Sequence, residues 1–191
     1  MVSQSSDLGA KDPINRMASI SQAENVRAGL PKTYDALVLD AALRQSLVTV
    51  RSLGRKGLSV AALETARDVP AFSSRWCQQA FVCPPIDGTD ALLTYLERLL
   101  ERSGARVLIT SSDSTVALVR QHRERLEKRV GIALANEPAM SIAVNKEQTL
   151  AIAQQLGLSI PRGITISSAQ EVSAALKEIG LPAVVKPVES W

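Results

Sequence analysis

From residue 34 onward the chain alternates short β-branched apolar runs with longer segments of helical period, and this alternation constrains the fold more than any other feature. Asp35-Ala36-Leu37-Val38-Leu39 predicts a strand, and Leu43, Leu47, Val50 and Leu53 predict a helix over 42–55 that Gly57 ends. Leu58-Ser59-Val60-Ala61-Ala62-Leu63 predicts the next strand. Strand, crossover helix and strand of these lengths make a parallel pair, connected with one hand. The rhythm continues with a short strand at 79–82, a break at Pro84-Pro85, and a helix over 89–102 carrying Leu92, Leu93, Leu96, Leu99 and Leu100 on one face before Gly104. A fourth strand follows at 106–110. Ser111-Ser112-Asp113-Ser114 then leads into one helix bearing Val116, Val119 and Leu126, and a fifth strand is expected at 130–134. The expected fold class is α/β: an open, mostly parallel, Rossmann-like sheet with helices on both faces.

With 191 residues the chain can form one domain with a substantial core and an additional piece. Apolar residues at 46% and charged residues at 21% exclude disorder throughout. Residues 1–33, rich in Ser, Gln, Asn and Ala and without a sustained period, are expected to be a flexible N-terminal extension with at most a weak helix over 20–30. A net charge of +3 from mixed signs, with aromatics at 3%, argues against a base-stacking platform and predicts no nucleic-acid partner. No apolar run approaches the roughly 20 residues of a membrane span, and no secretory signal core is visible, so a cytoplasmic chain without a membrane partner is expected.

Cys77, Cys83 and the single His122 do not have the spacing of a zinc site, and the cysteines read as small packing residues. His122 lies in a charged stretch and is expected on a solvated helix surface. Five Lys/Arg between Arg120 and Arg129 are interleaved with Glu124 and Glu127, which predicts a solvated face laced by i,i+4 pairs.

The turn after the first strand, Asp40-Ala41-Ala42-Leu43-Arg44-Gln45, has none of the glycines that let a backbone approach a pyrophosphate, so a nicotinamide or flavin site is not expected. Ligands of such sheets lie beyond the carboxyl ends of the strands, where Ser111 to Ser114 would sit. Ser112 or Asp113 is expected to cap the helix that follows, and together they are the candidate substrate-facing loop.

Two further helices are well marked. Asn145 with Gln148 and Ser168 with Glu171 make capping-box patterns, with inner faces at Leu150, Ala153 and Leu156 and at Val172, Ala175, Leu176 and Ile179. Lys146 stands in a first turn, where a cation opposes the helix dipole. Lys186 ends the proline-bounded apolar run 181–187, which predicts a strand. Two ammonium groups delivered by a helix start and a strand end can converge on phosphates; the bland reading is an exposed first-turn residue and a strand-end side chain reaching for water.

The succession Asn145-Lys146, Gly157-Leu158-Ser159-Ile160-Pro161 and Gly180-Leu181-Pro182-Ala183-Val184-Val185-Lys186-Pro187 resembles the entry to an ATP-grasp domain. There the order is Asp-Lys, a helix, Gly-hydrophobic-x-hydrophobic-Pro, a helix, then Gly-hydrophobic-Pro, three hydrophobic residues and Lys-Pro. Asn145 replaces the usual Asp, and either residue caps a helix. The preceding residues are similar to the preATP-grasp domain of carbamoyl-phosphate-synthase-like ligases, with 50–60 resembling its first helix and second strand. The resemblance implies a preATP-grasp domain over 34–135, connecting helices over 136–157, and the start of an incomplete ATP-grasp small lobe over 158–191. It implies that Lys146 and Lys186 bind ATP phosphates, with ATP and Mg as cofactors and a small-molecule carboxylate as partner. In that family the carboxylate attacks the γ-phosphate, and an amine, thiol or other nucleophile displaces phosphate from the acyl phosphate. The family's glycine-rich loop and its metal-binding residues would follow Pro187. The chain is therefore expected to be an N-terminal fragment of a ligase, inactive alone, with no catalytic residue or metal ligand of its own. The run 184–186 would then be a short edge strand, either mobile or recruiting a second chain as a homo-oligomer. The competing reading is a free-standing α/β binding or interaction module without ATP chemistry.

Overall fold

Five strands, β1 (Ala36–Val38), β2 (Val60–Glu64), β3 (Gln79–Val82), β4 (Val107–Ile109) and β5 (Gly131–Ile132), make one sheet in the order β3-β2-β1-β4-β5. Every pair is parallel, with Ala36 opposite both Val60 and Val107, Ala61 opposite Gln79, and Val107 opposite Gly131. This computed structural model describes residues 33–83 and 89–189. All but the last residue of the extension expected over residues 1–33, the break at Pro84-Pro85, and Trp191 lie outside them.

Period-two alternation divides the strands between two cores. Leu37, Leu39, Ala61, Leu63 and Leu108 face one side and pack with Leu93, Leu96, Leu99 and Leu100 of α2 (Thr89–Ser103), Leu118 and Val119 of α3 (Asp113–Gln121), and Leu126 of α4 (Arg123–Leu126). Ala36, Val38, Val60 and Ala62 face the other side and meet Val50 of α1 (Arg44–Arg55), with Val69 and Ala71 from the β2–β3 connection. Helices on both faces of a parallel sheet are what the alternation predicts. Trp76 seals the second core by lying across α1 at Gly54, where an added Cβ would stand 2.6 Å from the Trp76 Cβ. Only hydrogen fits there. Gly57 ends α1 at φ +82°, a left-handed conformation that glycine adopts without strain.

The helix expected to run unbroken past Leu126 divides at His122, which closes α3 and opens α4. His122 is half-buried with its Nε2 buried and unpartnered, rather than solvated as the surrounding charges suggest. The basic stretch pairs locally only through Arg123 and Glu127 at 2.8 Å. Its other arginines reach across to different elements: Arg125 to Glu97 at 2.5 Å, Arg129 to Glu101 at 2.9 Å, and Arg120 to Glu137 at 2.7 Å. Cys83 is buried and Cys77 half-buried, both as free thiols, and burial pushes both thiols up from their ordinary pKa.

Beyond the sheet come α5 (Ala139–Val144), α6 (Lys146–Gln155), a single 3-10 turn (Ala169–Glu171) and α7 (Val172–Ile179). The helices form where the caps predict, yet none of them contributes a buried residue. The strand expected over 184–186 is absent: Val184 and Val185 are each 78% exposed in irregular chain. β-branching favours an extended backbone, but a strand exists only where a neighbour completes its ladder, and no described segment lies beside these residues to do so.

Candidate functional site

Two places on the molecule gather polar side chains with chemical capacity, and the first lies at the carboxyl edge of the sheet. The strand order reverses between β1 and β4, the position where open α/β sheets take ligands. Asp40, the second residue after β1, sits there at φ 57°, in the left-handed region that Asp tolerates better than most residues. Its carboxylate accepts from the Ser111 and Ser112 amides at 2.8 and 2.9 Å, from the Ser112 hydroxyl at 2.9 Å and from the Thr115 hydroxyl at 2.7 Å. Ser112 in turn caps α3 by accepting from the Thr115 amide at 3.2 Å. Beneath them Ser46, fully buried, donates to the Leu39 carbonyl at 2.8 Å and lies 2.9 Å from the Ser111 hydroxyl. Glu64, at the end of β2, behaves alike, accepting from the Ala42 amide at 3.1 Å and the Thr65 amide at 2.8 Å.

The amides that would cradle a phosphate at this switch point are thus held by carboxylates of the chain itself. Of the substrate-facing candidates, Ser112 is half-buried and committed to Asp40 and to its cap, while Asp113 is exposed in the first turn of α3. The sequence reading missed Asp40 and Glu64. The signal was present, since an Asp following a strand where the first helix must turn back is a residue suited to positive φ and to accepting neighbouring amides.

The second place is the start of α6. Asn145 caps the helix, its Oδ1 accepting from the Gln148 amide at 2.9 Å. It also makes an antiparallel bridge with Glu189, and the Lys146 amide donates to the Val188 carbonyl at 3.0 Å. The chain two to three residues beyond Lys186 is thereby laid against the helix turn that carries Lys146. Lys146 is half-buried and Lys186 exposed. The Glu147 carboxylate accepts from the Thr165 hydroxyl, so a third segment joins the same corner. Ser168 departs from the expected box: its hydroxyl donates to Glu171 at 2.9 Å and makes no cap, and the Glu171 carboxylate takes the Ser167 amide at 3.0 Å instead. That amide bond, with help from the Ser168 hydroxyl, holds the Glu171 carboxyl below its usual range.

This corner sets the Lys146 turn against the chain two to three residues beyond Lys186, and ammonium groups are donors suited to phosphates. Among the described residues no group of three or more His, Cys, Asp or Glu side chains is placed to hold a metal. Nor is any helix among the described residues long and apolar enough to cross a membrane.

No family model matches the chain. Over 67 residues, 33% of this chain and 8% of the relative, it is 36% identical to a cyanophycin synthetase of Crocosphaera subtropica (strain ATCC 51142 / BH68). It superposes on glycinamide-RNase-transformylase T from Mycobacterium tuberculosis with a TM-score of 0.51 and 20% identity, over 77% of this chain and 40% of that one. A biotin carboxylase domain of the Hydrogenobacter thermophilus 2-oxoglutarate carboxylase, solved with MgADP, ADP and bicarbonate, matches with a TM-score of 0.50 and 16% identity, over 79% of this chain and 34% of that one. The fold is one that ATP-grasp ligases share. The chain spans 34–40% of these solved structures and 8% of the cyanophycin synthetase.

Proposed function

We propose that the chain is the N-terminal part of an ATP-grasp ligase that joins a carboxylate to an amine or another nucleophile. In this reading residues 34–135 are its preATP-grasp domain, 136–157 its connecting helices and 158–191 the start of its small lobe. The observation that carries the proposal is the bond from the Lys146 amide to the Val188 carbonyl, 3.0 Å, which brings the chain just beyond Lys186 against the Lys146 turn. The shared fold and the sequence likeness to a cyanophycin synthetase support it.

Lys146 and Lys186 then hold the phosphates of ATP by compact, rotatable ammonium donors, one on a helix turn and one on the chain laid against it. Such contacts act by positioning and by neutralising charge. When bound, ATP supplies the phosphoryl group that activates the carboxylate. Ser112 is a positioning residue for the start of α3, and Asp113 is exposed in its first turn.

Titration calorimetry with ATP on a longer protein that continues past Trp191 tests the reading. Binding is expected, and replacing both lysines by alanine should weaken it at least about tenfold, the loss of two charge-assisted contacts. Undiminished affinity in the double variant would remove the assignment.

A further inference from the structure

We infer that the outer face of α1 is a docking surface for an acidic helix of a partner protein. α1 turns Ser46, Val50 and Gly54 onto the sheet, and the residues opposite are Arg44, Val48, Arg51 and Arg55, one stripe at i, i+4, i+7 and i+11. All four are exposed, Val48 at 59%, and Lys56 follows at the end of the helix. From Ala41 to Leu63 the sequence contains no Asp or Glu. Among the described residues no ion pair involves Arg44, Arg51, Arg55 or Lys56.

The stripe is costly where it stands. Arg44 occupies a first turn that has no acidic residue, against the positive end of the helix dipole, and Arg51 and Arg55 repel each other one turn apart. The contrast lies within the same fold: the arginines of α4 and its flanks each meet a carboxylate, Arg123 that of Glu127, Arg125 that of Glu97, and Arg129 that of Glu101. Among the described residues one basic helix is neutralised from within and the other has no complement.

Geometry narrows the complement. At about 1.5 Å per residue, Arg51 and Arg55 stand about 6 Å apart along the axis, and Arg44 about 10 Å from Arg51. Those are the intervals between carboxylates one and two turns apart on another helix. Between the arginines lie only Val48 and Ser52, small enough for a second helix to approach at the usual 8–10 Å or so. Guanidinium forks pair with carboxylates in two-point fashion, which fixes register as well as attraction. A nucleic acid is the poorer fit, because three arginines over about 16 Å meet few phosphates and no aromatic side chain joins the stripe. The neighbouring Trp76 is spent against Gly54 and beneath the Arg75 guanidinium, 4.9 Å from its ring. A lipid surface would need inserted apolar side chains, and Val48 is alone on the stripe.

The test uses the full chain and fluorescence anisotropy with four probes: a helical peptide carrying Glu in the register of the stripe, a peptide of the same composition with its Glu scattered around the helix, a short DNA duplex, and phosphatidylglycerol vesicles. The in-register peptide should bind tightest and weaken with added salt. Arg51→Glu with Arg55→Glu should lower its affinity about tenfold or more, as expected when two exposed pairs turn repulsive. Lys177→Glu, an exposed change elsewhere, should leave it unaltered. Circular dichroism confirms that each variant keeps its fold. Equal binding of the scattered peptide, tighter binding of DNA or vesicles, or indifference to the double reversal would each overturn the inference.

Discussion

Residues 33–135 and residues 139–189 obey the same local rules and come to opposite ends. In the first region the period-two strands and amphipathic helices close over two cores, with Leu37 and Leu108 fully buried. In the second, helices form without contributing a buried residue, and Leu156 and Leu181, just past their ends, are 71% and 80% exposed. Caps and turns act within a few residues, so a helix can be specified by its own sequence. Burial requires a second surface, which in the sheet region every element finds and in the later region none of the described segments supplies.

The sharpest way to break this contrast is to truncate matched leucines. Leu37→Ala or Leu108→Ala should cost about 2–5 kcal/mol, as lost burial plus the cavity left behind. Leu156→Ala or Leu181→Ala should stay within about 0.5 kcal/mol. Urea unfolding monitored by circular dichroism reads both, and similar losses in the two regions would mean that the later helices are covered after all.

A smaller effect tests how the sheet's carboxyl edge is held. Asp40→Ala removes the acceptor of two amides and two hydroxyls, a cost of about 1–3 kcal/mol, and leaves a Cβ in the left-handed region. Asp40→Gly should recover about 1 kcal/mol of that loss, since glycine adopts the conformation freely. If the two variants are equally stable, backbone conformation plays no part at this turn.

The smallest effect is a pH dependence carried by one ion pair of the sheet region. Arg125, bonded to Glu97, holds that carboxyl below its ordinary value of 4.5. A depressed pKa stabilises the fold above the unfolded value and loses that contribution as pH falls through the folded one. Stability should therefore decline below about pH 4.5, and Glu97→Gln should flatten the decline. An unchanged profile in the variant would separate the bridge from acid stability.

How much of this was legible follows from the same distinction. The order of β1, α1 and β2, the stop at Gly57 and the Asn145 cap were readable because each depends on nearby residues. The division of the long helix at His122 was not, because Arg125 and Arg129 are drawn to Glu97 and Glu101 on α2, partners distant in sequence. Val184 and Val185 carried the propensity of a strand without the neighbour that makes one. At the candidate site, Lys146 and Lys186 were visible as residue types, but the meeting of the Lys146 turn with the chain beyond Lys186 depends on a bond between positions 146 and 188, which no periodicity reports. Asp40 escaped for a related reason: its partners lie more than seventy residues away.

That aspartate also determines how the switch point meets the ions of the surrounding solution. Tethered a few bonds from the amides it occupies, the carboxylate competes for them as an intramolecular ligand, at an effective concentration far above that of any free phosphate. A diffusing anion must displace it and leave it a new home, so the edge of the sheet that most open α/β proteins offer to phosphates is here insensitive to their supply.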